Sequence, residues 1–192
     1  MEVCSIILSA GKGSRMFSDI PKPLHLISGK TMLERVIDAN KSANIKKCII
    51  VIPENCEAFE DICHDFETVV QKVPKGTGDA VKKASNLLKK FTGVILVCFG
   101  DTPFLTPETF KRVIKAFDNK TKLVITGFKK FEKNNYGKII FSKTNEPIEI
   151  IEQKDAEVRN IHSEFCNGGV MAIHSSIINQ LDKIQENSIS KE

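Results

Sequence analysis

Four short, uninterrupted apolar runs constrain the fold more than any other feature of the chain. They are VCSIIL (Val3 to Leu8), CIIVI (Cys48 to Ile52), VILVCF (Val94 to Phe99) and LVITGF (Leu123 to Phe128). A strand with one wet face alternates apolar and polar residues. These runs do not alternate, so each reads as a strand covered on both faces, as in a parallel sheet flanked by helices. VILVCF is the strongest and is expected to be central.

Helical patterns fill the intervals. Thr31 with Glu34 three residues on forms a capping box ahead of Leu33, Val36 and Ile37, which share one helical face. A short helix is predicted over Phe59, Ile62 and Cys63, followed by a brief strand TVV at residues 68–70. The helix after Thr77 turns Ala80, Val81, Ala84, Leu87 and Leu88 inward and its lysines outward. Thr106 reads as an N-cap with Pro107 at the first helical position, opening a helix along Phe110, Val113, Ile114 and Phe117. Beyond residue 128 the pattern changes: GKIIF, PIEIIE and GGVMAI are strands without a full helix between them. The expected fold is therefore α/β, a three-layer α/β/α arrangement whose central sheet is mostly parallel and becomes mixed in the last third, as a single domain over residues 1–192.

Composition limits the function classes. The formal charge is +4, from 28 Lys and Arg against 24 Asp and Glu in 192 residues. That excess suits an anionic substrate and does not demand nucleic acid. No apolar run approaches the length of a membrane span, and Val3 to Leu8 is too short for a signal segment, so no membrane partner is expected and the cytoplasm is the expected compartment. Cys4, Cys48 and Cys98 lie within buried strands as small hydrophobes. Cys56, Cys63 and His64 fall on one predicted helix, but a zinc site needs more paired ligands than these; Cys63 reads as core-facing and His64 as exposed.

In an open α/β sheet, ligands bind beyond the carboxyl ends of the strands. The first strand ends in SAGKGSR, where glycines let backbone N–H groups approach phosphate oxygens beside positive side chains. Two familiar phosphate motifs fail. Met16 stands where a dinucleotide fingerprint needs its third glycine, and Leu24 stands where a P-loop ending in SGKT needs its first. Lys22, held between Pro21 and Pro23 on an extended backbone, is either a phosphate-binding cation or an exposed turn lysine. Asp101 ends the central strand and is either a hard oxygen ligand for a divalent ion or a turn cap before Thr102 and Pro103. Glu152 follows an apolar strand and is either a ligand-binding carboxylate or an edge-strand charge. The proposition joining these residues is spatial: Gly13, Arg15, Lys22 and Asp101 are expected to meet at one rim of the sheet.

LSAGKGSRM, then PKPLH, then GDTP after the central strand resemble the sugar-nucleotide pyrophosphorylase class of nucleotidyltransferases. GKTMLERVID, Gln71 six residues before TGDAV, YGKII, IIEQKDA and CNGG narrow the resemblance to the N-acetylglucosamine-1-phosphate uridylyltransferase domain of the bifunctional GlmU family. The resemblance covers essentially the whole chain. It implies a Rossmann-like nucleotide-diphospho-sugar transferase fold and a magnesium-dependent enzyme. Its substrates would be UTP and N-acetylglucosamine 1-phosphate, joined for cell-wall precursor synthesis. It further implies that the backbone at Leu8, Ala10 and Gly11 holds the nucleotide, with Gly13 beside it. Arg15 and Lys22 would meet the phosphates, Gln71, Gly76 and Thr77 would read the uracil edge, and Asp101 would bind Mg²⁺. Gly137, Glu152 and Asn167 would hold the amino sugar.

The match has departures. The family's second magnesium ligand, an asparagine, comes from a segment beyond the last residue of this chain, and no hexapeptide-repeat acetyltransferase half is present. A trimmed or naturally truncated form is therefore expected, and a monomer, because the family's trimer is built by that other half. Asp79 stands where the family usually has histidine, Gly168 where it has threonine and Ser9 where alanine is common. Two alternatives stay open: a nucleotidyltransferase for another base or sugar phosphate, and a nucleotide-binding remnant without activity.

Overall fold

The computed structural model describes residues 1–11, 13, 16–54, 57–73, 75–132 and 134–184. Strand β1 (Val3–Leu8) lies between β4 (Lys47–Pro53) and β6 (Val94–Phe99), parallel to both, and β4 pairs in parallel with β5 (Glu67–Gln71). A small hairpin of β2 (Leu26–Ile27) and β3 (Lys30–Thr31) stands apart from this sheet. Long antiparallel β10 (Phe165–His174) continues the sheet. Its second half runs beside β6, and its Cys166 pairs with Lys138 of β8 (Lys138–Phe141), which carries β9 (Pro147–Ile151) at the outer edge. Strand β7 (Leu123–Lys129) lines the other side of β10. The parallel-then-mixed order expected from sequence is thus observed, with β6 central.

Alternation along the strands splits the core in two. Cys4, Ile6 and Leu8 of β1 join Ile49, Val51, Ile95 and Val97 beneath Ala80, Val81 and Ala84 of α3 (Thr77–Ser85). Ile7, Ile50, Leu96 and Cys98 face the opposite way. They pack on Leu33, Val36 and Ile37 of α1 (Met32–Ser42), on Cys63 of α2 (Glu60–Cys63) and on Phe110 and Val113 of α4 (Pro107–Lys115). The result is three layers. Burial pushes the Cys4 thiol up to about 12 and the Cys48 thiol up to about 11, so these cysteines act as packing groups. Cys63 is buried and His64 exposed, as expected; Cys56 lies outside the described residues.

Three local expectations give way. The LVITGF run is not buried: Leu123 is 52% exposed, because β7 has only β10 as a strand partner among the described residues. Leu87 faces outward, since α3 ends at Ser85 and a 3-10 turn over Asn86–Leu88 changes the angular step. A six-residue helix α5 (Gln153–Val158) follows β9, and a 3-10 segment (Ser175–Lys183) follows β10; neither has a pattern long enough to read from sequence. Among the described residues, no helix is long and apolar enough to cross a membrane.

The capping box forms as predicted. The Glu34 N–H donates to Thr31 Oγ1 at 3.1 Å, and Glu34 Oε2 accepts from the Thr31 N–H at 2.7 Å and from its hydroxyl at 2.8 Å. These bonds hold the Glu34 carboxyl below its ordinary value of 4.5. Thr31→Ala should lower stability by about 1 kcal/mol at neutral pH. A lowered folded-state pKa stabilises above the ordinary value and loses that contribution as pH falls through the folded-state value. The deficit of the variant should therefore shrink in acid. Urea melts of both proteins on either side of that range check it.

Candidate active site

Because β1, β4 and β6 are parallel, their carboxyl ends leave the sheet at one rim, and Leu8 is in register with both Val51 and Phe99. The loops stay clipped together one residue further on. The Ser9 N–H donates to the Val51 carbonyl at 2.8 Å, and the Gly100 N–H to the Leu8 carbonyl at 2.9 Å. A Cβ at Gly100 would stand 2.2 Å from Ser9 Oγ, so glycine is what lets the two loops touch. Ala10 is buried beneath this loop, and Gly11 is exposed with open space around it.

Gly13 needs to be glycine for two reasons. Its φ is +57°, and an added Cβ would stand 2.8 Å from the Cβ of Lys22. The turn after β1 therefore presses directly on the lysine between the prolines. Lys22 is not on an extended backbone as expected. It opens a 3-10 turn (Lys22–Leu24) closed by the His25 N–H on the Lys22 carbonyl at 3.2 Å, while the extended residue is Pro21. The turn fixes the stem, and Lys22 Nζ reaches Asp101 Oδ2 at 2.6 Å across 79 positions of sequence. The two side chains are 37% and 30% exposed, so the pair is accessible to solvent at this rim.

The turn after β6 is not capped by Asp101. The Thr102 hydroxyl does that, donating to the Phe99 carbonyl at 2.7 Å. Among the described residues, Lys22 is the only polar partner of the Asp101 carboxylate. Gly13, Lys22 and Asp101 are thus brought together; Arg15 lies outside the described residues.

A second group forms at the end of β5. Gln71 is buried, and its amide nitrogen donates to Asp79 Oδ2 at 2.8 Å and to the Gly76 carbonyl at 3.3 Å. Gly76, at φ +91°, turns the chain into α3, and Thr77 is the first residue of that helix. Among the described residues no side chain caps this helix, which leaves its first N–H groups without a side-chain partner. The partner Asp79 was not legible as a site residue: nothing in the spacing of Gln71 and Asp79 announces a hydrogen bond between them.

The third group comes from the mixed strands. The Asn167 N–H donates to the Gly137 carbonyl at 2.8 Å, and a Cβ at Gly137 would meet Glu152 Oε1 at 3.1 Å. Gly137, Glu152 and Asn167 are therefore neighbours. Asn167 Oδ1 accepts from the Gly169 N–H at 3.0 Å, shaping the bulge in β10. Gly169, at φ +77°, packs on the ring of Phe99, where an added Cβ would be 3.1 Å away. Phe99 is two residues from Asp101, so this contact ties the third group to the same rim. At Gly168 a Cβ would stand 2.7 Å from Thr126 Oγ1, which is bonded to both the N–H and the carbonyl of Val170. A larger residue at 168 is excluded while Thr126 holds that place.

The family model of the MobA-like NTP transferase domain matches residues 5–184. The bifunctional protein GlmU of Ruegeria sp. (strain TM1040) is 36% identical over 198 residues, covering 100% of this chain and 43% of that protein. GlmU of Lactobacillus johnsonii (strain CNCM I-12250 / La1 / NCC 533) is 38% identical over 168 residues, covering 86% of the chain and 36% of the relative. The chain spans about two-fifths of the length of these relatives. Among solved structures, a UDP-glucose pyrophosphorylase complexed with UDP-glucose superposes with a TM-score of 0.78 at 18% identity, covering 97% of this chain and 81% of that one. HddC from Yersinia pseudotuberculosis gives 0.71 at 21%, covering 94% and 80%. At those identities the likeness is one of fold.

Proposed function

The chain belongs to the MobA-like NTP transferase family, and from that premise we propose that it transfers the uridylyl group of UTP to N-acetylglucosamine 1-phosphate. The observation that carries this reading is the Lys22–Asp101 pair, 2.6 Å long and backed by Gly13, at the rim where β1 and β6 end. A cation and a carboxylate held together and accessible at one rim of the sheet suit a triphosphate and its metal counter-ion. The GlmU relatives point to the substrate pair.

In this reading the substrate's sugar-phosphate oxygen attacks the α-phosphorus of UTP in line. One P–O bond forms, the bond to the β-phosphate oxygen breaks, and pyrophosphate leaves with its electron pair. The attacking phosphate is already ionised, so no general base is required, and catalysis comes from positioning and charge stabilisation. Lys22 donates to phosphate oxygens as negative charge builds on them. Gln71 and the start of α3 hold the base, and Glu152 and Asn167, joined through Gly137, hold the sugar.

The donor chemistry fits magnesium. Asp101 offers a hard oxygen, and among the described residues no group of three His, Cys, Asp or Glu side chains forms a closed metal cage. Mg²⁺ is commonly held by one or two carboxylates, with water and substrate phosphates completing its shell. Bound at Asp101, it would supply charge neutralisation across the reacting phosphates.

Calorimetry with UTP and Mg²⁺, followed by a pyrophosphate-release assay with N-acetylglucosamine 1-phosphate, tests the proposal. UTP binding and pyrophosphate release are expected together. Release with CTP or GTP but not UTP would overturn the choice of base, and binding without release would overturn catalysis by this chain.

A further inference from the structure

Gln71 has two N–H donors and one carbonyl oxygen on its amide. Both donors are spent. One goes to the Asp79 carboxylate at 2.8 Å and the other to the Gly76 carbonyl at 3.3 Å. The reverse orientation would set the amide oxygen against two acceptors, and neither could donate to it. The carbonyl oxygen is therefore the end left over, and nothing among the described residues donates to it. Gly76 alone is a weak lock, because its bond is long and a carbonyl is a neutral acceptor. The carboxylate makes the shorter, charge-assisted bond. Asp79 is carried on the first turn of α3; Lys83 one turn on is only a distant, partly exposed neighbour, its Nζ 3.9 Å from the other oxygen, and contributes little to holding the carboxylate.

We infer that Asp79 is a positioning residue that locks the Gln71 amide as an acceptor and so sets which base the pocket takes. The inference rests on the reading of Gln71 as the residue that meets the base. An acceptor held in place favours a ring nitrogen that carries a proton, the N3–H of uracil or thymine. It opposes the unprotonated N3 of cytosine, which would place two lone pairs against each other. A pocket built on a hydrogen bond rejects the wrong partner far more strongly than an apolar one. Without the carboxylate the amide is free to turn, and its NH₂ can then meet cytosine.

The test is equilibrium binding of UTP, dTTP and CTP, by calorimetry, to the wild-type chain and to Asp79→Ala, Asp79→Asn and Lys83→Ala. Alanine keeps the helix favourable, and thermal melts establish that each variant folds. The wild type should bind UTP and dTTP at least about 100-fold tighter than CTP. Asp79→Ala should cut that ratio about tenfold or more, chiefly through tighter CTP binding, because the hydrogen bond it removes is charge-assisted. Asp79→Asn, which still offers an oxygen to Gln71, should fall between. Lys83→Ala removes only the neighbouring charge and should leave the ratio unchanged. A merely structural role for Asp79 would weaken all three nucleotides together. An unchanged ratio in Asp79→Ala would overturn the lock while leaving the pyrimidine reading intact. A wild type without a UTP preference over CTP would overturn both.

Discussion

Replacing Asp101 with alanine is expected to lower turnover by about 10³-fold or more while hardly moving the unfolding midpoint. The two halves of this expectation have separate causes. The carboxylate is 30% exposed, its partner Lys22 is 37% exposed, and the local turn is tied by Thr102. An ion pair at such exposure contributes roughly 0–1 kcal/mol to folding, so the fold survives its loss. The chemistry does not, because the proposed metal ligand at the end of β6 is gone and, among the described residues, no cluster of carboxylate, histidine or cysteine side chains replaces it. Asp101→Asn refines the test. Asparagine can still accept from Lys22 but is a much poorer ligand for a hard cation, so it should be nearly as inactive as alanine. Pyrophosphate release with a thermal melt of each variant checks this. Full turnover in Asp101→Asn would mean that the carboxylate only anchors Lys22.

Lys22→Ala is expected to reduce kcat by about 10²–10³-fold, the usual loss for a donor aimed at charge that develops in the transition state. UTP binding should weaken much less. Lys22→Arg should recover only part of the rate. The guanidinium is a broad planar fork, and the stem of residue 22 is confined by Gly13 and by the turn closed at His25. If Lys22 and Asp101 serve one step, their losses will not multiply: the double variant should be about as slow as the slower single one. Steady-state kinetics of the three variants measure this. Independent, multiplying effects would separate the two residues functionally.

Much of the fold was legible because its strongest signals are local. The runs ending at Leu8 and Phe99 lack polar alternation and became the two central parallel strands. Thr31 and Glu34 carried their capping box in the sequence itself. What failed depended on neighbours that are remote in the chain. An apolar run such as Leu123 to Phe128 does not state whether a second strand will lie beside it, and among the described residues β10 alone does. Leu87 was misplaced because helical spacing was carried past the point where α3 tightens into a 3-10 turn. Helix α5 is too short to have a period.

The same division runs through the site. Strand ends are predictable, so residues just beyond them could be named. Lys22 and Asp101 do meet, and Gly137 lies beside both Glu152 and Asn167. The bond from Gln71 to Asp79 could not be foreseen, since it depends on how far α3 is set back from the end of β5. Nor could the exclusion of a side chain at Gly168, which is imposed by Thr126 in another strand.

The most direct test is a crystal structure of the chain soaked with UTP and Mn²⁺, read by anomalous scattering. The expected map has a manganese peak on the Asp101 carboxylate, nucleotide phosphates against Lys22 and the Gly13 turn, and the base at Gln71. A nucleotide bound with its phosphates away from that rim, or a metal held elsewhere, would contradict the account.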